Sequence, residues 1–204
     1  MFSSGSLLVL AALLTGDIVV ALWPLPRSLT TGSSALVLSH TFEIQVSGPY
    51  PEDLQSAVAR TLEYIWNDDH ERLVVGRGSV DAAAIKSAMT LPSLVVSNED
   101  SKTIATEARA PLGTRDEAYF LHIPSDGTPA TLSANSTLGL FRGLTTFSQI
   151  WYTYEWSIYT VEAPISIHDS PAFVCFCSFF LTQALTWLAL PRFHAGHGSE
   201  LFPN

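Results

Sequence analysis

Several groups of residues in this 204-residue chain have types and spacings that chemistry could use. Asp116-Glu117 is the only Asp-Glu pair, and neighbouring carboxylates are common general acid–base machinery. The pair opens a predicted strand, however, where it reads as a solvated strand end. His194 and His197 stand three apart, a metal-binding spacing on a helix, but Pro191, Gly196, Gly198 and Pro203 disfavour helix there. A metal site also needs more ligands than two imidazoles, so the segment reads as a disordered terminus. Cys175 and Cys177 are the only cysteines; at that spacing in a strand they point to opposite faces, and they read as free or buried thiols. His40, His70, His122 and His168 are scattered among serines and aspartates without a Gly-x-Ser-x-Gly elbow. Gly76-Arg77-Gly78 lacks the further glycines of a phosphate-binding loop. No catalytic residue, cofactor-binding residue, metal ligand or cofactor is expected. Asn135-Ser136-Thr137 is the one glycosylation sequon, and the same residues suit a helix N-cap, so attachment of a glycan at Asn135 and simple capping are equal readings.

The elements that must position these residues follow from periodicity. Residues 35–46 alternate, with Phe42, Ile44 and Val46 on one side, and are predicted to form a strand. After Gly48-Pro49-Tyr50-Pro51, a helix carries Leu54, Val58, Leu62, Ile65 and Trp66 as a core stripe, with Glu52 and Asp53 near its start and Arg72 near its end. Leu91 to Ser97 is a short strand and Asn98 to Thr114 a loop. Residues 116–123 and 130–134 make a hairpin about Pro124-Ser125-Asp126-Gly127. A second helix opens at Asn135 or Ser136 and buries Leu140, Leu144, Phe147 and Trp151; Gly139 and Gly143 lie on one side of it, allowing close approach to a sheet. Residues 158–167 contain Pro164 and read as an edge strand or strand pair. The expected fold is α+β, a mainly antiparallel sheet with two helices packed on one face.

Composition narrows the class. With 47% hydrophobic and 14% charged residues, the chain suits one globular domain plus processing segments. Its net charge of -9 opposes binding to nucleic acid or to anionic membranes. Residues 1–21, with an apolar run from Leu7 to Leu14 and an ending of Val19-Val20-Ala21, read as a signal peptide; the chain is therefore expected to be secreted or vacuolar through the secretory pathway.

The sequence resembles the amino-terminal domain of secreted eukaryotic, fungal-type β-N-acetylhexosaminidases of glycoside hydrolase family 20. The resemblance spans residues 22–173 and rests on Asp116-Glu117-Ala118-Tyr119, Ala134-Asn135-Ser136-Thr137-Leu138-Gly139, Arg142-Gly143-Leu144-Thr145-Thr146-Phe147 and Asp169-Ser170-Pro171-Ala172-Phe173. It implies a zincin-like, non-catalytic domain that precedes a (β/α)8 barrel of roughly 250 residues. In such enzymes the barrel holds a sugar-binding arginine and an Asp-Glu pair in a His-x-Gly-Gly-Asp-Glu motif, and the substrate's own N-acetyl oxygen serves as nucleophile. Neither feature is found in this chain.

Residues 174–204 leave the family pattern. Phe179 to Ala184 admits codons whose shifted frame reads Leu-Leu-Asp-Thr-Ser, so the tail is expected to derive from a frameshift or a retained intron. Read as protein, Val174 to Leu190 is an uncharged apolar run at the short limit of about 17 residues that crosses a bilayer. Three readings follow from the resemblance: an inactive fragment of an enzyme acting on terminal N-acetylhexosamine and chitin fragments, a non-enzymatic domain that pairs with a full-length paralogue, and a tail-anchored luminal domain.

Overall fold

The computed structural model describes residues 22–67 and 76–170. The predicted leader, His70, Arg72, both cysteines, the apolar tail, His194 and His197 lie outside the described residues.

The described residues open on a segment that is tied down at a distance. Leu22 is buried, and the Trp23 N–H donates to Gln149 Oε1 at 2.7 Å while Gln149 Nε2 donates to the Trp23 carbonyl at 3.1 Å. Strand β1 (Ser28–Ser47) follows, longer than the predicted strand at both ends. Then come α1 (Glu52–Asn67), α2 (Arg77–Lys86), β2 (Met89–Asn98), α3 (Ile104–Ala108), β3 (Tyr119–Ile123), β4 (Ala130–Ala134), α4 (Thr137–Ser148), β5 (Tyr152–Tyr154) and β6 (Ser157–Asp169).

The six strands form one sheet in the order β1-β2-β4-β3-β6-β5. β1 is long enough to pair with β2 along its second half and with β6 along its first, so it spans both sides of the sheet. The fold is α+β, but its sheet is mixed: β1–β2 and β2–β4 are parallel, whereas β1–β6, β3–β4, β3–β6 and β5–β6 are antiparallel. The expected hairpin is present as β3 and β4, and the burial of β3 alternates as its sequence does.

β6 is one continuous strand and neither the edge strand nor the strand pair that Pro164 suggested, because it pairs with β1, β3 and β5. A proline lacks the N–H a ladder needs, and the sheet accommodates it where the β1–β6 register slips around Ser34 and Ala163. Gly32 makes the space: a Cβ there would stand 2.4 Å from the Ala163 carbonyl oxygen and 2.5 Å from Pro164 Cδ.

The helices also depart from a simple pair. α1 and α4 cover one face, where Leu54, Val58 and Ile65 of α1 and Leu140, Leu144 and Phe147 of α4 join Leu36, Leu94, Leu121, Leu132 and Ile167 of the sheet in one core. Each fully buried aliphatic side chain of this kind contributes about 1.5–3 kcal/mol. Phe147 stacks on Phe42 with ring centres 5.9 Å apart and meets Trp151 edge-on at 5.5 Å. Trp66, expected in the α1 stripe, is 39% exposed, since it follows Ile65 directly and turns about 100° away from it.

α2 lies on the other side. Tyr152 and Tyr159 face each other in the β5–β6 register and point away from the side occupied by Ile158. Asp81 of α2 accepts from the Tyr159 hydroxyl at 3.0 Å, and Gly78 lies so close to Tyr154 that a Cβ would fall 2.4 Å from its ring. The predicted loop at 98–114 contains α3, capped by Thr103, whose hydroxyl accepts from the Thr106 N–H at 3.1 Å.

Candidate functional site

The motif residues converge on the joint between α4 and the β3–β4 hairpin. Ser136, with extended backbone, caps α4: its Oγ accepts from the Gly139 N–H at 2.8 Å and donates to the Asp116 carbonyl. The two glycines then let the helix down onto the sheet. A Cβ at Gly139 would lie 2.3 Å from the Ala118 carbonyl oxygen, and one at Gly143 would lie 2.3 Å from Leu132 Cδ1. This is the close approach their spacing predicted.

Polar groups at this joint satisfy one another. Glu117, only 7% exposed, accepts from Arg142 Nε at 2.8 Å. Asp116 accepts from the Ala118 N–H at 3.0 Å and from Asn135 Nδ2 at 3.2 Å. The Tyr119 hydroxyl is 2.7 Å from Thr146 Oγ1, and Asp169 is its register partner on β6. Burial pushes the Tyr119 phenol up to about 12, with the Asp169 carboxylate adding to the rise and the Thr146 hydrogen bond opposing it. Asp169 also accepts from the Arg27 N–H at 3.1 Å, tying down the start of the domain.

Glu107 is a member of this joint that no sequence pattern marks. Its Oε2 accepts from the Leu138 N–H at 2.7 Å and from the Thr137 hydroxyl at 2.9 Å, satisfying the first turn of α4. Burial raises the Glu107 carboxyl above its ordinary range, while the Lys102 N–H holds neighbouring Asp100 below its own. A carboxylate so far from the helix in sequence carries no local capping signature.

The histidines go elsewhere. His40 is exposed on β1. His122 and Ser166 are register partners on β3 and β6, with Nδ1 and Oγ 2.8 Å apart. The nearby acid Asp126 accepts from the Thr128 hydroxyl at 2.6 Å and from its N–H at 3.0 Å, and the former bond lowers its carboxyl. The contact is a cross-strand hydrogen bond on an exposed sheet face. His168 stacks on Phe120 with ring centres 4.4 Å apart. Beside them is an open depression of about 330 Å³ that Ser133 and Asn135 also line. Asn135 is exposed and precedes the capping Ser136. Among the described residues there is no group of three His, Cys, Asp or Glu side chains placed to hold a metal ion.

The sequence model of a family described as beta-acetyl hexosaminidase like matches residues 22–150. The chain belongs to this family. Its hexosaminidase relatives include the beta-hexosaminidase subunit beta of Felis catus, 34% identical over 159 residues that cover 75% of this chain and 28% of the feline protein. A beta-hexosaminidase of Arthroderma benhamiae is 41% identical over 78 residues, covering 38% of this chain and 13% of the fungal one. Among solved structures, a Flavobacterium johnsoniae chitobiase of family 20 shares the fold, with a TM-score of 0.50 at 19% identity, over 74% of this chain and 21% of the chitobiase. The chain thus spans less than a third of the hexosaminidases it resembles.

Proposed function

We propose that residues 22–173 serve as the non-catalytic amino-terminal domain of a secreted, fungal-type β-N-acetylhexosaminidase, and that the 204-residue chain does not hydrolyse glycosides by itself. In this reading the complete enzyme removes terminal non-reducing N-acetylhexosamine from N-acetyl-β-hexosaminides and chitin fragments. Its acid–base pair and sugar-binding arginine belong to a barrel, and this domain's part is to present a packed surface to it.

One observation carries the proposal: the glutamate of the single Asp-Glu pair is buried and paired within the fold. Glu117 is bound to Arg142 and Asp116 to Asn135 and the Ala118 N–H, at a joint where α4 lies on the sheet. A general acid or base must reach a substrate proton within hydrogen-bond distance, and the nearly buried Glu117, held by Arg142, is withdrawn from such a role, which leaves exposed Asp116 without a second acid. The α1 layer offers the surface for the barrel, since Tyr64 and Trp66 are partly exposed along it.

Sequencing the spliced transcript and genomic DNA across the codon for Phe173 tests this reading. Continuation into Leu-Asp-Thr-Ser and His-x-Gly-Gly-Asp-Glu coding sequence, in the same or a shifted frame, is the expected result. A transcript and locus without barrel-coding sequence would overturn it.

A further inference from the structure

We propose that Asn135 carries an N-linked glycan whose first N-acetylglucosamine packs on the exposed Phe120–His168 stack. The proposal is independent of any hydrolytic activity; it requires passage through the secretory pathway.

The geometry comes from strand order. Ser97, Ser133, Phe120 and His168 form a row across β2, β4, β3 and β6, each opposite the next. They lie on the sheet face away from α1 and α4, because Tyr119, Leu121 and Leu132, which alternate with them, are buried in the core. Asn135 is two residues beyond Ser133 and continues that outer face past the end of β4. A diagonal step from Phe120 to this position is roughly 7–8 Å, within reach of a sugar attached through the asparagine amide.

Phe120 is 54% exposed although it is large and apolar. His168 covers it from the β6 side, with ring planes inclined by 20°. β4 lies on the other side of β3, so the uncovered ring face turns towards Ser133 and Asn135. Ser133 is small and leaves that space open, and Ser97, Glu99 and Asn135 supply polar groups around it. An aromatic face bordered by hydroxyls and a carboxylate suits a pyranose, which has apolar C–H faces and a polar rim.

The fold also tolerates the modification. Its Nδ2 donates to Asp116 Oδ2, and a glycosylated amide retains one N–H that preserves this bond. The capping duty that competes for the sequon falls on Ser136, so modification of Asn135 leaves α4 intact. Thr137, whose hydroxyl completes the sequon, becomes buried against Lys102 and Glu107 only on folding.

The full chain, with its own first residues, is translated in a eukaryotic cell-free system with endoplasmic-reticulum vesicles. A one-glycan mobility shift that peptide N-glycosidase removes, and that Asn135→Gln abolishes, is the expected result. An unmodified chain that protease protection shows inside the vesicles overturns the site, and one that stays outside overturns the passage through the secretory pathway on which the proposal rests. The seat is tested by comparing protein secreted from yeast, its glycan trimmed to the first N-acetylglucosamine, with the same sequence made without glycan in bacteria. Absence of the sugar is expected to lower the melting temperature by about 3 °C in the wild type and to have little effect in Phe120→Ala. Equal losses in both proteins would overturn the stacking contact while leaving the hexosaminidase reading untouched.

Discussion

The two faces of the β3–β4 hairpin differ in what their polar and aromatic residues do. On the inner face Tyr119, Leu121 and Leu132 are buried under α4, where Glu117 pairs with Arg142 and the Tyr119 hydroxyl with Thr146, while exposed Asp116 at the rim accepts from Asn135 and the Ala118 N–H. On the outer face Phe120, Ser133 and the neighbouring Asn135 remain open beside His168. The residues that look most like chemistry in the sequence are therefore the ones the fold has used up. The open surface is built from residues whose significance arises only when four strands are laid side by side.

The largest expected effect breaks the inner face. Gly139→Val places carbon atoms against the Ala118 carbonyl, a backbone group that cannot swing aside, and should cost about 3 kcal/mol or more in urea unfolding. Gly143→Ala should cost less, because the obstructing Leu132 is a side chain with other rotamers and alanine favours helix by about 1 kcal/mol. Equal losses would mean that the two glycines do not approach the sheet as described. Next in size, Arg142→Ala leaves Glu117 nearly buried without its cation and should cost about 2 kcal/mol. Adding Glu117→Gln to Arg142→Ala should recover part of that loss.

Tyr119→Phe removes the hydroxyl contact with Thr146 and should cost about 1 kcal/mol at neutral pH. It also carries a pH signature. The folded phenol, at about 12, lies above its ordinary value near 10, so between these values the unfolded chain loses this proton first. The stability linked to Tyr119 is fully present below pH 10 and is lost as pH rises towards 12. Unfolding curves of wild type and Tyr119→Phe should therefore converge over that interval; a constant gap would contradict the burial of the phenol. The smallest effect belongs to the outer face: Phe120→Ala should change the stability of the unglycosylated chain by less than about 0.5 kcal/mol.

Much of the inner face was legible because local rules and packing agree there. The apolar spacing of Leu140, Leu144 and Phe147, the glycine pair and the capping serine all describe one helix against one sheet. What escaped depended on distant partners. Pro164 signalled an edge strand, and only Gly32, far away in β1, makes room for it within the sheet. α2 has little apolar periodicity, since it approaches Tyr154 through Gly78 and Tyr159 through Asp81. Glu107 caps a helix thirty residues downstream, and the Phe120–His168 stack joins two strands distant in sequence. Such pairings are set by topology, and no window along the chain contains both members.

If the Asp116–Glu117 cluster is a structural joint, Glu117→Gln acts on stability and has no activity to abolish, and two readouts on the purified chain test this directly. We predict no hydrolysis of a fluorogenic N-acetyl-β-glucosaminide by the wild type above a mock preparation, and a melting temperature lowered by about 3 °C in Glu117→Gln. Wild-type turnover that Glu117→Gln abolishes at an unchanged melting temperature would contradict the account.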